Sequence, residues 1–113
     1  MKTVTIPKAD WKWYGLPGHF IEASRCYFHL CTVIGDYIIS TVGHYHPRDD
    51  DEPPQQIGLG RLYETMVFKG GRPCSCGCGI PVHNGRELEC TGYNDATSAN
   101  EGHLAVCERY ASK

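Results

Sequence analysis

The stretch Cys26-Tyr27-Phe28-His29-Leu30-Cys31-Thr32-Val33-Ile34, followed by Gly35-Asp36 and then Tyr37-Ile38-Ile39-Ser40-Thr41-Val42-Gly43-His44-Tyr45, decides the fold. Both flanks are rich in β-branched and aromatic residues, which suit a pleated, half-buried surface. The Gly-Asp pair between them is the kind of two-residue connection that favours a hairpin. The segment therefore predicts two antiparallel strands joined by a tight turn.

Working outward from the hairpin, Gly60-Arg61-Leu62-Tyr63-Glu64-Thr65-Met66-Val67-Phe68 predicts a third strand. Its period of two puts Leu62, Glu64 and Met66 on one face and Tyr63, Thr65 and Val67 on the other. Gly70-Gly71-Arg72-Pro73 is expected to end it, and Arg86 to Tyr93 predicts a fourth, weaker strand. Between the second and third strands, residues 46–56 combine three prolines with the acidic run Asp49-Asp50-Asp51-Glu52, so neither a helix nor a central strand can continue there. An exposed loop follows. Upstream, Trp11-Lys12-Trp13-Tyr14-Gly15-Leu16-Pro17-Gly18-His19-Phe20 is aromatic and broken by Gly and Pro, which predicts a packed loop leading into a strand.

One helix is expected, at the C-terminal end. Ser98 and Glu101 have capping-box spacing, and His103, Leu104, Cys107 and Tyr110 recur at three- and four-residue steps through Ala111. Gly102 weakens this helix without forbidding it. Strands first, a helix last and hairpin-length connections imply an α+β fold: a small antiparallel sheet of about four strands with one C-terminal helix. At 113 residues the chain is expected to form a single domain, 1–113.

Composition narrows the function classes. Eleven Lys and Arg against 13 Asp and Glu give a net charge of −2, and the basic residues are spread from Lys2 to Lys113. That distribution argues against nucleic acid as a partner, because phosphate neutralisation needs clustered cations. The first ten residues lack an apolar h-region, and nowhere do about 18 consecutive apolar residues occur, so the expected setting is soluble and cytosolic with no membrane association. In a reducing compartment seven cysteines point away from a disulfide framework and toward metal ligation plus buried thiols. Cys26, Cys31 and Cys90 lie in or beside apolar runs and read as small core residues.

Cys74-Ser75-Cys76-Gly77-Cys78-Gly79 is the sharpest chemical signal. Three thiols within five residues, relieved by glycines, let the backbone fold tightly around one ion. His103 and Cys107, at i and i+4, share one face of the expected helix and can complete a tetrahedron. The expected site is a structural zinc held by Cys76, Cys78, His103 and Cys107, with Cys74 as the reserve ligand. Four protein ligands close the coordination sphere, which leaves no position for a catalytic water. The alternative is that Cys107 is a core residue and His103 a capping or solvated side chain.

Enzyme signals are thin. His44-Tyr45-His46 puts two imidazoles on one side of a strand end, close to the acidic run, and could form a second metal or acid–base site. A bare H-x-H pair completes no established signature, and a solvated strand end is the alternative. Cys26 or Cys31 with His29 lacks a third group to orient a nucleophile. The aromatics Trp11, Trp13, Tyr14, Phe20, Tyr45, Tyr63 and Tyr93 exceed what a small core needs. Some of them, with Arg61 and Arg72, could stack a nucleotide or anchor a partner; the alternative is a Trp-rich mini-core beneath the N-terminal loop.

The segments Trp13-Tyr14-Gly15-Leu16-Pro17-Gly18-His19-Phe20, Cys26-Tyr27-Phe28-His29, Ser40-Thr41-Val42-Gly43, Tyr63-Glu64-Thr65-Met66-Val67-Phe68, and Gly102-His103 with Cys107 and Tyr110 carry a family likeness. Along most of its length the chain resembles small uncharacterised proteins carried in bacteriophage genomes. The resemblance implies expression in the infected host cytoplasm. By analogy with small phage accessory proteins, it implies a non-enzymatic role in binding and modulating a host bacterial protein or defence system. The alternative is a small nucleotide-binding protein or metal-dependent hydrolase that uses the His44 and His46 region.

Overall fold

The computed structural model describes residues 11–14, 26–46, 48, 51–57, 60–73, 81–83 and 87–112. They form β1 (Trp11–Tyr14), β2 (Cys26–Ile34), β3 (Tyr37–Tyr45), β4 (Tyr63–Pro73), β5 (Pro81–His83), β6 (Glu89–Tyr93) and α1 (Ala96–Ala111). The strands make one antiparallel sheet in the order β1-β2-β3-β4-β5, with β6 also paired to β4. The expected α+β class, with four principal strands and a C-terminal helix, is what the chain adopts.

Several boundaries differ from expectation, each for a local reason. Trp11–Tyr14 is a strand where a packed loop was expected, because its backbone pairs with the Cys31–Ile34 end of β2. The third strand does not stop at Gly70. It runs on to Pro73, because β4 changes partner along its length: residues 63–67 pair with β6, while Gly70 and Pro73 pair with β5 across a register shift. Proline is tolerated there because it lies at a strand end beside an irregularity. The fourth strand begins at Glu89 rather than Arg86. The helix starts two residues before Ser98: Asp95 is extended at φ −146° and ψ 162°, and its carboxylate accepts from the Ser98 backbone N–H at 2.8 Å. Asp95 is the N-cap, and Ser98 sits in the first turn as the group being capped.

The hairpin forms as expected, with Ile34 opposite Tyr37. Gly35 takes φ +56°, the left-handed value that the first position of a type II′ turn requires and that glycine adopts without a steric penalty. In the proline-rich acidic loop, Gln55 N–H donates to Tyr45 C=O at 2.8 Å and closes the loop at its base, leaving Asp51 and Glu52 exposed.

Register assigns the two faces of the sheet. Residues opposite one another across antiparallel strands share a face. One face therefore carries Ile34 and Tyr37, then Thr32, Ile39, Val67 and Glu89, then Leu30, Thr41, Thr65 and Thr91, then Phe28, Gly43, Tyr63 and Tyr93. The alternation expected for the third strand holds: Tyr63, Thr65 and Val67 lie here, and Glu64 and Met66 lie on the reverse. Helix α1 covers this face with Ala99, His103, Val106, Cys107 and Tyr110, which recur at three- and four-residue steps. Val106, Cys107 and Tyr110 pack on Ile34, Ile39 and Val67 in one apolar cluster. The reverse face has its own cluster of Cys31, Ile38 and Phe68, with Met66 against it.

Two contacts set the helix's position. Tyr93 lies against Gly102, where a methyl group would collide with the ring. The glycine that weakens the helix locally thus leaves room for the Tyr93 ring of β6 against the helix. At the other end, Arg109 donates to both carboxylate oxygens of Glu89 at 2.8 and 2.9 Å, and the Tyr110 hydroxyl donates to the same carboxylate at 2.6 Å. This fork fastens the last turn of α1 to β6.

Candidate functional site

Two groups of chemistry-bearing side chains emerge, one in the helix–sheet seam and one on the reverse face. In the seam, His103 is 0% exposed. Its Nε2 lies 2.8 Å from the Thr32 hydroxyl and its Nδ1 lies 2.6 Å from the Thr41 hydroxyl, which in turn meets the Thr65 hydroxyl at 2.6 Å. A neutral imidazole has one N–H and one lone pair, so one threonine accepts from it and the other donates to it. Burial holds His103 down at about pKa 4, with a further lowering from the charge of His29, so the neutral form is the one present at pH 7. One turn on, burial pushes the Cys107 thiol up to about 11, against a hydrogen bond from Thr32 that works the other way. A protonated thiol and a neutral imidazole, both saturated by neighbours, make a core network rather than a nucleophile–base pair.

The four expected zinc ligands divide accordingly. His103 and Cys107 do share one helical face, and that face is the one packed on the sheet. Cys76 and Cys78, and the reserve Cys74, lie outside the described residues. Metal ligation by His103 Nε2 requires that nitrogen to exchange the Thr32 hydroxyl for the ion, while Nδ1 on Thr41 would keep the ring oriented in the way ligating histidines are commonly held. Among the described residues, no three or more His, Cys, Asp or Glu side chains come together as a metal-binding group.

The remaining cysteines behave as their surroundings dictate. Cys26 and Cys31 are buried, as expected of core residues. Cys90 is half-buried, and its thiol points at Glu64 Oε2, 3.7 Å away. Burial, and then the charges of Glu64 and Glu87, push it up to about 12, which keeps it protonated and unreactive.

On the reverse face, Tyr27 of β2 and His44 of β3 lie between the paired positions Cys26–Tyr45 and Phe28–Gly43. The His44 and His46 rings meet edge to face, centroids 4.8 Å apart, and Tyr27 lies 5.5 Å from the first and 5.0 Å from the second. His44 takes φ +52°, the only non-glycine positive value among the described residues. The pair is not a solvated strand end: His46 is buried and His44 half-buried. One row along the same face, His29 is buried with both ring nitrogens lacking a hydrogen-bond partner, and that burial holds it at about pKa 4.

The threonines that serve His103 were not singled out from the sequence. Their signal is present, however: Thr32, Thr41 and Thr65 fall in phase with the apolar face of three successive strands, opposite the one helix that carries a histidine. Among the described residues, the exposed aromatic is one not singled out from the sequence. Tyr45, Tyr63 and Tyr93 are half-buried, whereas Tyr27 is 60% exposed. Phe20 and the side chains of Trp11, Trp13, Tyr14 and Arg72 lie outside the description. No helix among the described residues is long and apolar enough to cross a membrane. Comparison with protein families, with curated proteins and with solved structures finds no match.

Proposed function

We propose that this chain is a non-enzymatic binding module, a phage accessory protein that acts in the host cytoplasm by engaging a host bacterial protein. The observation that carries the non-enzymatic part is the seam. The helical His–Cys pair, the best-placed acid–base and nucleophilic groups in the sequence, is spent on holding helix to sheet through Thr32 and Thr41. The surface left for function includes Tyr27 and the acidic loop with Asp51 and Glu52. An exposed aromatic is a common anchor in protein recognition, and carboxylates on a loop speed encounter with a basic partner. The bacteriophage setting rests on the sequence resemblance alone. Structural zinc at Cys76 and Cys78 belongs to the same proposal, with His103 and Cys107 completing it only if the Thr32 bond is given up.

The test is affinity capture from host lysate, followed by reconstitution with the purified captured protein and titration calorimetry. The expected result is a stoichiometric complex that weakens when Tyr27 is replaced by Ala, with no multiple turnover on a nucleotide panel. Turnover that disappears in a His44→Ala, His46→Ala double variant would replace this reading with the hydrolase one.

A further inference from the structure

We propose that His44 and His46 form a two-imidazole chelate for a late first-row divalent metal ion, on the sheet face opposite the helix and beside the exposed Tyr27 ring. The site shares no residue with the cysteine-rich segment or with the seam.

The first support is spacing. With a metal–nitrogen bond of about 2.0–2.1 Å, a ligating imidazole has its centroid about 3.2 Å from the ion, so centroids 4.8 Å apart correspond to an angle of about 100° at the metal. That lies between the octahedral and tetrahedral values; because the rings meet edge to face, at least one of them must turn about its side-chain bonds to aim a nitrogen at the shared ion.

The second support is backbone conformation. A non-glycine residue at φ near +52° is uncommon, although histidine adopts it more readily than most, and such conformations are found at functional sites as well as in turns. Here the outlier falls on a prospective ligand, at the end of β3 where the chain leaves the sheet for the acidic loop.

The third support is the surroundings. His46 is buried and His44 is half-buried, so an ion held between them would be partly shielded from bulk water. His29, with both nitrogens unpartnered, lies one row along the same face and makes this corner rich in imidazole. Two nitrogen ligands leave the remaining positions on the ion to water or to an incoming donor. Imidazole donors favour Cu2+, Ni2+ and Zn2+ over Mg2+ and Ca2+.

The test uses the full chain, first given one equivalent of Zn2+ to satisfy thiolate sites and then titrated with Ni2+. Binding is read by calorimetry, and location by paramagnetic broadening of the imidazole resonances. The expected result is one further equivalent of Ni2+, with the His44 and His46 signals lost first. His44→Gly is the decisive variant: glycine adopts the positive φ without strain, so the fold is kept while the ligand is removed. His44→Gly and His46→Asn should each weaken Ni2+ binding tenfold or more, the scale on which lost metal-site groups act. Absence of Ni2+ binding by the wild-type chain, broadening centred on other side chains, or His44→Gly affinity within twofold of wild type would each overturn the proposal.

Discussion

Replacing His29 with Leu should make the protein less sensitive to acid and, at neutral pH, more stable. His29 is buried on the reverse face with both nitrogens unpartnered, and burial holds it at about pKa 4 against an ordinary value of 6.5. Because the folded value is the lower one, the unfolded chain takes up the proton first. The associated stability is fully present above pH 6.5, is lost as pH falls from 6.5 to 4, and changes no further below that. At about 1.4 kcal/mol per pKa unit the loss is about 3 kcal/mol. A domain of this size has about 5–15 kcal/mol in all, so one side chain removes a large share of it. His103, also held at about 4, adds a similar loss in the metal-free chain. Leu has a volume close to that of His and no polar atoms. His29→Leu should therefore gain about 1 kcal/mol at pH 7.5 by removing unpaired buried nitrogens and should flatten the acid slope. Urea denaturation at pH 7.5, 6.5, 5.5 and 5.0 in the presence of a chelator measures both effects. A wild-type stability constant to within about 0.5 kcal/mol across that range would refute the reasoning. So would a variant that keeps the full wild-type slope.

Four further outcomes are expected. Protein purified without added zinc should contain close to one zinc per chain, and Cys78→Ser and Cys107→Ser should lower both metal content and melting temperature; metal-free protein whose melt is unchanged by chelation would remove zinc from the proposal. Gly102→Ala should destabilise by about 1–3 kcal/mol in thermal melts, although alanine ordinarily favours a helix by about 1 kcal/mol, because the added methyl group meets the Tyr93 ring. Glu89→Gln should cost about 1 kcal/mol by loosening the Arg109 fork, and the loss should shrink in high salt; a loss that ignores salt would assign it to the Tyr110 hydroxyl bond instead. Replacing Asp49, Asp50, Asp51 and Glu52 by Asn and Gln should leave stability within about 0.5 kcal/mol while slowing association with a basic partner at low salt, measured by stopped-flow mixing.

The sequence by itself determined the hairpin, the third strand and the C-terminal helix, because these rest on local signals. Period-two alternation, a Gly-Asp turn and three- and four-residue steps are properties of neighbouring residues, and they survive whatever the rest of the chain does. It also determined which face of residues 63–68 is which, since pleating alone sets that. Trp11–Tyr14 and Pro81–His83 became strands only through their pairing with β2 and β4. Short segments of this kind have too little periodicity to declare themselves, and their backbone hydrogen bonds come from partners distant in sequence. The same distinction runs through the chemistry. The i, i+4 spacing of His103 and Cys107 placed them on one helical face, but only the packing of α1 against the sheet set His103 between Thr32 and Thr41, residues 71 and 62 positions away. Spacing likewise put His44 and His46 on one side. The burial of His46 and the approach of Tyr27 from the neighbouring strand are tertiary, because burial and cross-strand contacts depend on partners that no local stretch of sequence contains.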